Sequence, residues 1–313
     1  MSERGIALLV VIWVLTILMV IVFSFSFMTR TESQSTLAYK EGMERRFLAE
    51  AGLERGIMEV SYANLFRNQQ VILEGKEAWR TDGSLYKGEL SSGNYHVRIT
   101  DESGKIDINA LTDASGIIVK NLLMNAGVKE ADADTIVDSI LDWKDPDDLH
   151  RLNGAEDDYY SSLPTPYLAK DANFDTVEEL ILVKGVTPEI LYGSESGKGI
   201  IEFLTVNGKS PRINVLAAPL EVLVAIPGIT PEVADDIISK RESIEGQAAP
   251  AIVLPPESLP FAAVGGVGTT FTIESVGRKG TEKGGYAVRA TVAIEQNNKV
   301  KYLYYKSPAT VRE

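Results

Sequence analysis

Hydrophobic and polar positions change period twice along this chain. From Ile6 to Met28 an uncharged run of 23 residues follows Met1-Ser2-Glu3-Arg4-Gly5, long enough as a helix to cross a hydrocarbon core of about 30 Å. No proline occurs before Pro146, so the run passes without a breaker into Thr31–Phe66, where Met43, Phe47, Ala51, Met58, Tyr62 and Leu65 recur at steps of three, four or seven. That spacing predicts one helix from about Ile6 to Phe66 with this stripe laid on a domain. Gly42, Gly52 and Gly56 are its weak points. After a polar connection the period becomes two, with Tyr95, Val97 and Ile99 alternating with His96, Arg98 and Thr100, which predicts a half-exposed strand with His96 toward solvent. Ile106-Asp107-Ile108 is expected to return as a second strand, and Thr270–Arg278, Tyr286–Gln296 and Lys299–Lys306 as three more, joined by turn-prone residues.

Between these strands lies a helical insert that partly repeats itself. Ile106-Asp107-Ile108-Asn109-Ala110 leads to Gly127-Val128 and Ala133–Ile140, as Ile213-Asn214-Val215-Leu216-Ala217 leads to Pro227-Gly228-Ile229 and Ala234–Ile238. The expected fold class is therefore α+β. It comprises a spanning segment at 6–28, a helix and first strands at 29–108, an inserted α-helical domain at 109–244 and closing strands at 270–313. The insert divides into subdomains at about 109–205 and 210–244, and the Pro-, Ala- and Gly-rich 245–269 reads as a linker.

Composition narrows the chemistry. With no cysteine and only His96 and His150, there is no thiolate nucleophile and little for a His-based triad or imidazole metal site, so no enzyme is expected. Val183–Glu189 and Ala225–Ala234 look like helix-hairpin-helix turns, as in SAM-like domains, whose helix N-termini bind phosphate in nucleic-acid proteins. Here the second turn is followed by Glu232, Asp235 and Asp236, and the chain carries a net charge of −13. Both disfavour a phosphate backbone, so no nucleic acid is expected.

The window Lys129–Glu179 holds fifteen Asp or Glu against four Lys or Arg. Within it Asp142, Asp145, Asp147, Asp148, Glu156 and Asp157 are close enough to repel one another unless solvated, protonated or neutralised by a cation. Oxygen ligands alone favour calcium, one ion or two. An EF-hand is excluded, since Asp145-Pro146-Asp147-Asp148 lacks the third ligand and glycine at the required offsets. From charge alone, a solvated acidic loop and a calcium site fit equally. The residues leave three classes open: a filament subunit, a membrane-anchored helix-hairpin-helix protein of DNA binding or uptake, and a bitopic calcium-dependent adhesion or sensor domain.

Two stretches carry a resemblance. Arg4-Gly5 set directly against the apolar run resembles the class III leader of type IV pilins and pseudopilins, which prepilin peptidase cuts after the glycine; Gly5 and Ile6 would flank the cut. The mature chain would then have Val10 where most members carry glutamate. That departure is typical of the K-type minor pseudopilins of type II secretion. Asp142-Trp143-x-Asp145-x-Asp147 followed by Gly154-Ala155-Glu156-Asp157-x-Tyr159-Tyr160 resembles the calcium loop of the same family. The resemblance implies a pilin-like fold, I-type and J-type minor pseudopilins as partners within the pseudopilus, and contact with the inner-membrane assembly platform. It also implies methylation of the cut N-terminus, a single pass through the inner membrane with the bulk in the periplasm, and a place at the filament tip that nucleates assembly.

Overall fold

The computed structural model describes residues 3–65, 79–91, 93–194, 197–242, 252–265, 268–280 and 284–310. It begins with one continuous helix, α1 (Glu3–Leu65), about 95 Å long at 1.5 Å per residue. The large side chains from Leu8 to Met28 are exposed, and this is the segment long and apolar enough to cross a membrane. The C-terminal third of α1 lies on a sheet.

The strands β1 (Asp82–Leu90) and β2 (Gly93–Asp101) lead into the insert. It contains β3 (Ile106–Asp107), α2 (Gly116–Asn125), α3 (Glu130–Lys144), α4 (Asp157–Ser161) and α5 (Pro188–Tyr192). It continues with β4 (Gly193–Ser194), β5 (Gly197–Lys198), β6 (Leu204–Thr205), β7 (Ile213–Asn214), α6 (Leu220–Leu223), α7 (Pro231–Glu242) and β8 (Ala262–Ala263). β9 (Thr270–Arg278), β10 (Tyr286–Ile294) and β11 (Val300–Lys306) complete an antiparallel sheet in the order β1-β2-β9-β10-β11. The alternation read in β2 holds, with Val97 and Ile99 buried and His96, Arg98 and Thr100 half-buried.

The helix docks on a different stripe from the one its larger side chains predict. Leu48, Ala49, Leu53, Ile57 and Val60 are buried against the sheet, whereas Phe47, Met58 and Leu65 are about 60% exposed. The glycines decide this. A Cβ on Gly56 would stand 2.8 Å from Ile273 Cγ2, one on Gly52 would strike the Ser275 and Tyr95 side chains, and one on Gly277 would stand 2.5 Å from the backbone nitrogen of Ala49. Gly52, Gly56 and Gly277 are thus points of close approach between helix and sheet. Phe66, the expected helix end, lies outside the described residues.

One strand expectation is corrected and one strand is added. Ile106-Asp107-Ile108 does not return to this sheet, because Ile106–Asp107 pairs in parallel with Leu204–Thr205 inside the insert. The strand beside β2 is instead β1, an edge strand whose two glycines and exposed Leu85 and Leu90 hide any two-residue alternation.

The internal repeat is visible as geometry. Asp107 Oδ1 accepts from Asn109 N at 3.0 Å and Asn214 Oδ1 accepts from Leu216 N at 3.1 Å, the same turn at corresponding places. β7 pairs in parallel with β8 as β3 does with β6, and Gly127, Gly185 and Gly228 close the three helix connections at φ of 90°, 85° and 83°. The halves expected at 109–205 and 210–244 share one apolar core. A single cluster runs from Ile106 through Ile136, Tyr160, Leu191 and Val222 to Ala262. Nor is 245–269 wholly a linker: among its described residues Ile252, Leu254 and Phe261 pack on that core and Ala262 belongs to it.

The insert leaves the sheet after Asp101 and rejoins it at Thr270, residues on neighbouring strand ends. Asp101, 1% exposed, accepts from Ser103 N at 2.8 Å and from Gly268 N at 2.7 Å, joining both crossings. Along α1, Ala49 faces Gly277, Gly56 faces Ile273 and Asn64 bonds Asn298 beside the end of β10. Both crossings therefore lie at the end of the sheet farthest from the apolar segment of α1.

Filling the close approach should cost stability, whereas an added Cβ on an open face of α1 should not. Gly277→Ala should destabilise the full chain in detergent by about 1–3 kcal/mol through overpacking. Gly42→Ala, with nothing within 4 Å of the added Cβ, should instead be neutral or stabilising by up to about 1 kcal/mol. Thermal unfolding of the two variants side by side checks the contrast.

Candidate metal centre

The acidic loop begins where α3 ends. α3 buries Ile136, Val137, Ile140, Leu141 and Trp143, and its spacing carries Asp142 into the same interior at 0% exposure. Asp145 leaves the helix at φ −82°, ψ 157°, the extended conformation that a following proline, here Pro146, favours. Lys144 ties the helix end to the preceding segment, Nζ donating to the carbonyls of Leu111 at 2.6 Å, Asn109 at 3.1 Å and Ile108 at 3.3 Å.

Arg151 organises the loop beyond the helix. Its backbone N–H donates to both oxygens of Asp142 at 3.3 and 3.2 Å. Its Nη1 donates to Asp142 Oδ1 at 2.7 Å and Asp145 Oδ2 at 2.5 Å, and its Nε to Asp113 Oδ1 at 2.8 Å. Gly154 lies directly against the Asp142 carboxylate, where any Cβ would collide. Asp138 Oδ2 accepts from the backbone and side-chain nitrogens of Asn153, both at 3.0 Å, and Lys184 Nζ donates to the carbonyls of Asn153 at 3.2 Å and Gly154 at 2.9 Å. The loop is thus fixed from both sides.

Glu156 stands differently. It is 2% exposed, and neither carboxylate oxygen has a hydrogen-bond partner; Asp145 Oδ1 is likewise buried and unpartnered. A buried carboxylate without a donor is costly and rare. Burial, reinforced by the charges of Asp142, Asp145, Asp171 and Asp148, pushes Glu156 from 4.5 up to about 8. Burial also raises Asp142 against the pull of Arg151. Asp171 is raised by burial and by Asp157, Asp148 and Asp145.

Of the six carboxylates expected to ligate, the fold gathers Asp142, Asp145, Asp148 and Glu156. It gives one oxygen of each of the other two to the loop backbone: Asp147 Oδ1 accepts from Leu149 N at 2.9 Å and Asp157 Oδ1 from Ala169 N at 2.8 Å. Asp171, absent from the expected set, joins the group from a residue at φ 51° whose N–H donates to the Trp143 carbonyl at 3.1 Å. An acid in the left-handed region beside Asn173 is a turn signal, but nothing in the spacing connects it to Glu156. Among the described residues no three acidic or histidine side chains already stand in coordinating geometry. A cation would draw on Glu156, the free oxygen of Asp145, and Asp148 and Asp171. These are all hard oxygen donors, and the orphaned carboxylate of Glu156 is the feature that fits one.

The hairpin turns read otherwise. Thr230 and the N–H of Glu232 hold that carboxyl below its ordinary range, and the N–H of Glu189 with Thr187 does the same for Glu189. Each helix start is occupied by the chain's own anion. Gly5 and Ile6 both fall within α1, with the side chain of Ile6 outside the described set.

Residues 104–193, which contain the whole acidic group, match the family model described as Type II secretion system (T2SS), protein K. The chain is 24% identical over 278 residues to the type II secretion system protein K of Pectobacterium carotovorum subsp. carotovorum, with 82% of each chain covered. It is 28% identical over 210 residues to that of Pseudomonas aeruginosa, covering 65% of this chain and 59% of the relative. It is 26% identical over 198 residues to the putative type II secretion system protein K of Escherichia coli (strain K12), covering 60% of each. The match thus spans about 60% of the length of the last two relatives. A chain in the crystal structure of the GspK-GspI-GspJ complex from enterotoxigenic Escherichia coli superimposes with a TM-score of 0.59 at 14% identity, covering 89% of this chain and all of that one. The fold is shared.

In the metal-free protein, Glu156 should make stability depend on pH. Because its folded pKa, about 8, lies above the ordinary 4.5, its contribution is fully present below about 4.5 and is lost as pH rises through about 8. Glu156→Gln should remove that loss and melt higher than the unmutated chain at pH 8.5 in EDTA. Melting curves of both proteins between pH 5 and 8.5 check it.

Proposed function

We propose, for a chain that belongs to the type II secretion system protein K family of minor pseudopilins, that it occupies the tip of the pseudopilus, nucleates its assembly and so supports export across the outer membrane. The observation that carries this is the position of the insert. A body comparable in size to the helix-and-sheet part is fastened to the sheet end farthest from the membrane segment. A second subunit stacked above would have to occupy the same space, whereas a terminal subunit meets nothing there. Val10 points the same way: without a carboxylate at that position the chain lacks the group with which pilins answer a neighbour's N-terminal amine.

On this reading α1 is the single inner-membrane pass, cut after Gly5 by prepilin peptidase and methylated, with the remaining domains in the periplasm. The partners are the I-type and J-type minor pseudopilins, one named solved relative being a GspK-GspI-GspJ complex, together with the assembly platform. The role is structural rather than enzymatic. The hairpin turns are assigned no nucleic acid, since Glu189 and Glu232 already sit on their helix starts. Calcium is the proposed cofactor, held beside Glu156.

Immunolabelling of assembled filaments should find this subunit at one end only; labelling along the shaft in proportion to the major subunit would refute the tip assignment. Calcium should stabilise the full chain in detergent by RT ln(1 + [L]/Kd), about 2.7 kcal/mol at a hundredfold excess over Kd. The effect should appear at millimolar calcium, and magnesium should replace it poorly. Equal melting temperatures in EDTA and in millimolar calcium would sink the metal reading.

A further inference from the structure

The five-stranded sheet has a second face. α1 packs on the one that carries Val97, Ile273, Val288 and Val292, and the side chains between these positions point the other way. The strand registers align them in rows. Leu85, Arg98, Glu274, Arg289 and Lys306 form one row, and Lys87, His96, Val276 and Ala287 form the next toward the membrane segment. Glu89, Asn94 and Arg278 end the face on that side. Leu85, Lys87, Glu89 and Lys306 are exposed, and Arg98, Arg278 and Arg289 half-buried. Lys87, Arg98, Arg278, Arg289 and Lys306 thus stand here against Glu89 and Glu274, in a chain whose 44 acids outnumber its 31 Lys and Arg. The pairing of Arg289 with Glu274 leaves the face with an excess of positive charge. Elsewhere cations sit among acids: Lys120 between Glu130 and Asp134, and Lys170 between Asp175 and Glu179. Lysines on edge strands discourage strand addition, which accounts for Lys87 and Lys306. It does not account for Arg98, Arg278 and Arg289, which stand on the inner strands β2, β9 and β10.

We propose that this basic sheet face is a docking surface for an acidic protein met from outside the filament. The inference goes beyond the filament reading and takes from it only a direction: with α1 among its neighbours, the opposite face of the sheet points away from them. The charge selects the partner. Neighbouring strands lie about 4.8 Å apart, so Arg98 and Lys306, three strands apart, span about 14 Å, the scale of a few carboxylates on one folded domain. Guanidinium groups held on inner strands present planar forks that suit carboxylates. A long polyanion such as nucleic acid would run off so small a patch onto a chain of net charge −13. Lipid headgroups are out of reach. From Met28 to Ala49, which faces Gly277 at the near end of the sheet, α1 rises about 30 Å, well beyond the Debye length of about 8 Å at physiological ionic strength.

Fluorescence anisotropy of a labelled octaglutamate peptide, titrated with the full chain in detergent, tests this. The unmutated chain should bind at low salt and more weakly at physiological salt, and Lys87→Glu/Lys306→Glu should weaken binding roughly tenfold. Lys129→Glu/Lys198→Glu makes the same change of net charge at two exposed lysines of the insert and should bind as the unmutated chain does. Arg98→Gln, on an inner strand, should also weaken binding, and it serves if the first variant fails to fold. No binding by the unmutated chain, or an equal loss in the insert variant, would overturn the proposal. Tighter binding of a single-stranded DNA octamer than of the peptide would give the face to nucleic acid, and a dimer of the full chain that Lys87→Glu/Lys306→Glu dissociates would give it to a second copy; either outcome overturns it. In secreting cells Lys87→Glu/Lys306→Glu should lower export while still co-purifying with the I-type and J-type pseudopilins. Loss of that co-purification would put the face inside the filament and refute the inference. Peptide binding that persists where immunolabelling rejects the tip would uphold the docking face and remove only the tip reading.

Discussion

The close contact of one helix with one sheet determines where everything else can be. α1 is a single rod from the apolar segment to Leu65, and it lies this close to β9 because Gly277 meets its backbone at Arg45 and Ala49 while Gly52 and Gly56 leave room for side chains of the sheet. Helix propensity alone would replace Gly52 and Gly56 with alanine. Packing overrides it, since the space between helix and sheet is already filled by Val97, Ile273, Tyr95 and Ser275. With that register set, the far end of the sheet and the two crossings into the insert are aligned with the helix C-terminus, and helix length sets the distance from the membrane segment to the insert.

Within the insert the controlling problem is charge. Fifteen acids in 51 residues cannot all be solvated once α3 must bury its apolar face, because the helix period carries Asp142 inward with Ile136, Ile140 and Trp143. Arg151 answers part of that charge with a guanidinium already in the sequence. The remainder collects at Glu156, where burial and neighbouring carboxylates act together and no donor offsets them. An arrangement of this kind stores unfavourable electrostatics in the folded chain and releases them to whichever proton or cation arrives.

Much of this was legible in the residues. The spanning run, the strand at Tyr95–Thr100, the three closing strands and the repeat linking Ile106–Ala110 to Ile213–Ala217 all declare themselves through period or self-similarity. So does the acidic group, through its spacing and its resemblance to a family loop. What stayed hidden depended on contacts distant in sequence. Two of the three glycines read as helix weaknesses, Gly52 and Gly56, lie on the docking surface, and the more conspicuous Phe47–Met58–Leu65 stripe faces outward. β1 is an edge strand with too little alternation to detect. β3 found a partner about a hundred residues away, a pairing no local pattern encodes. Asp171 reaches the centre only because the chain between α4 and it folds back on Trp143. Arg151 looked like one of four scattered bases until the fold gave it three acceptors.

Asp101 has a mechanical consequence. A domain inserted into a sheet hangs from two covalent crossings, and two independent strands of backbone make a pivot. Here one carboxylate, 1% exposed, accepts from the first residues of the outgoing crossing and from Gly268 of the returning one, so the crossings are braced against each other at the point where they leave the sheet. The angle between insert and sheet is therefore set by one shared carboxylate as well as by the two covalent connections.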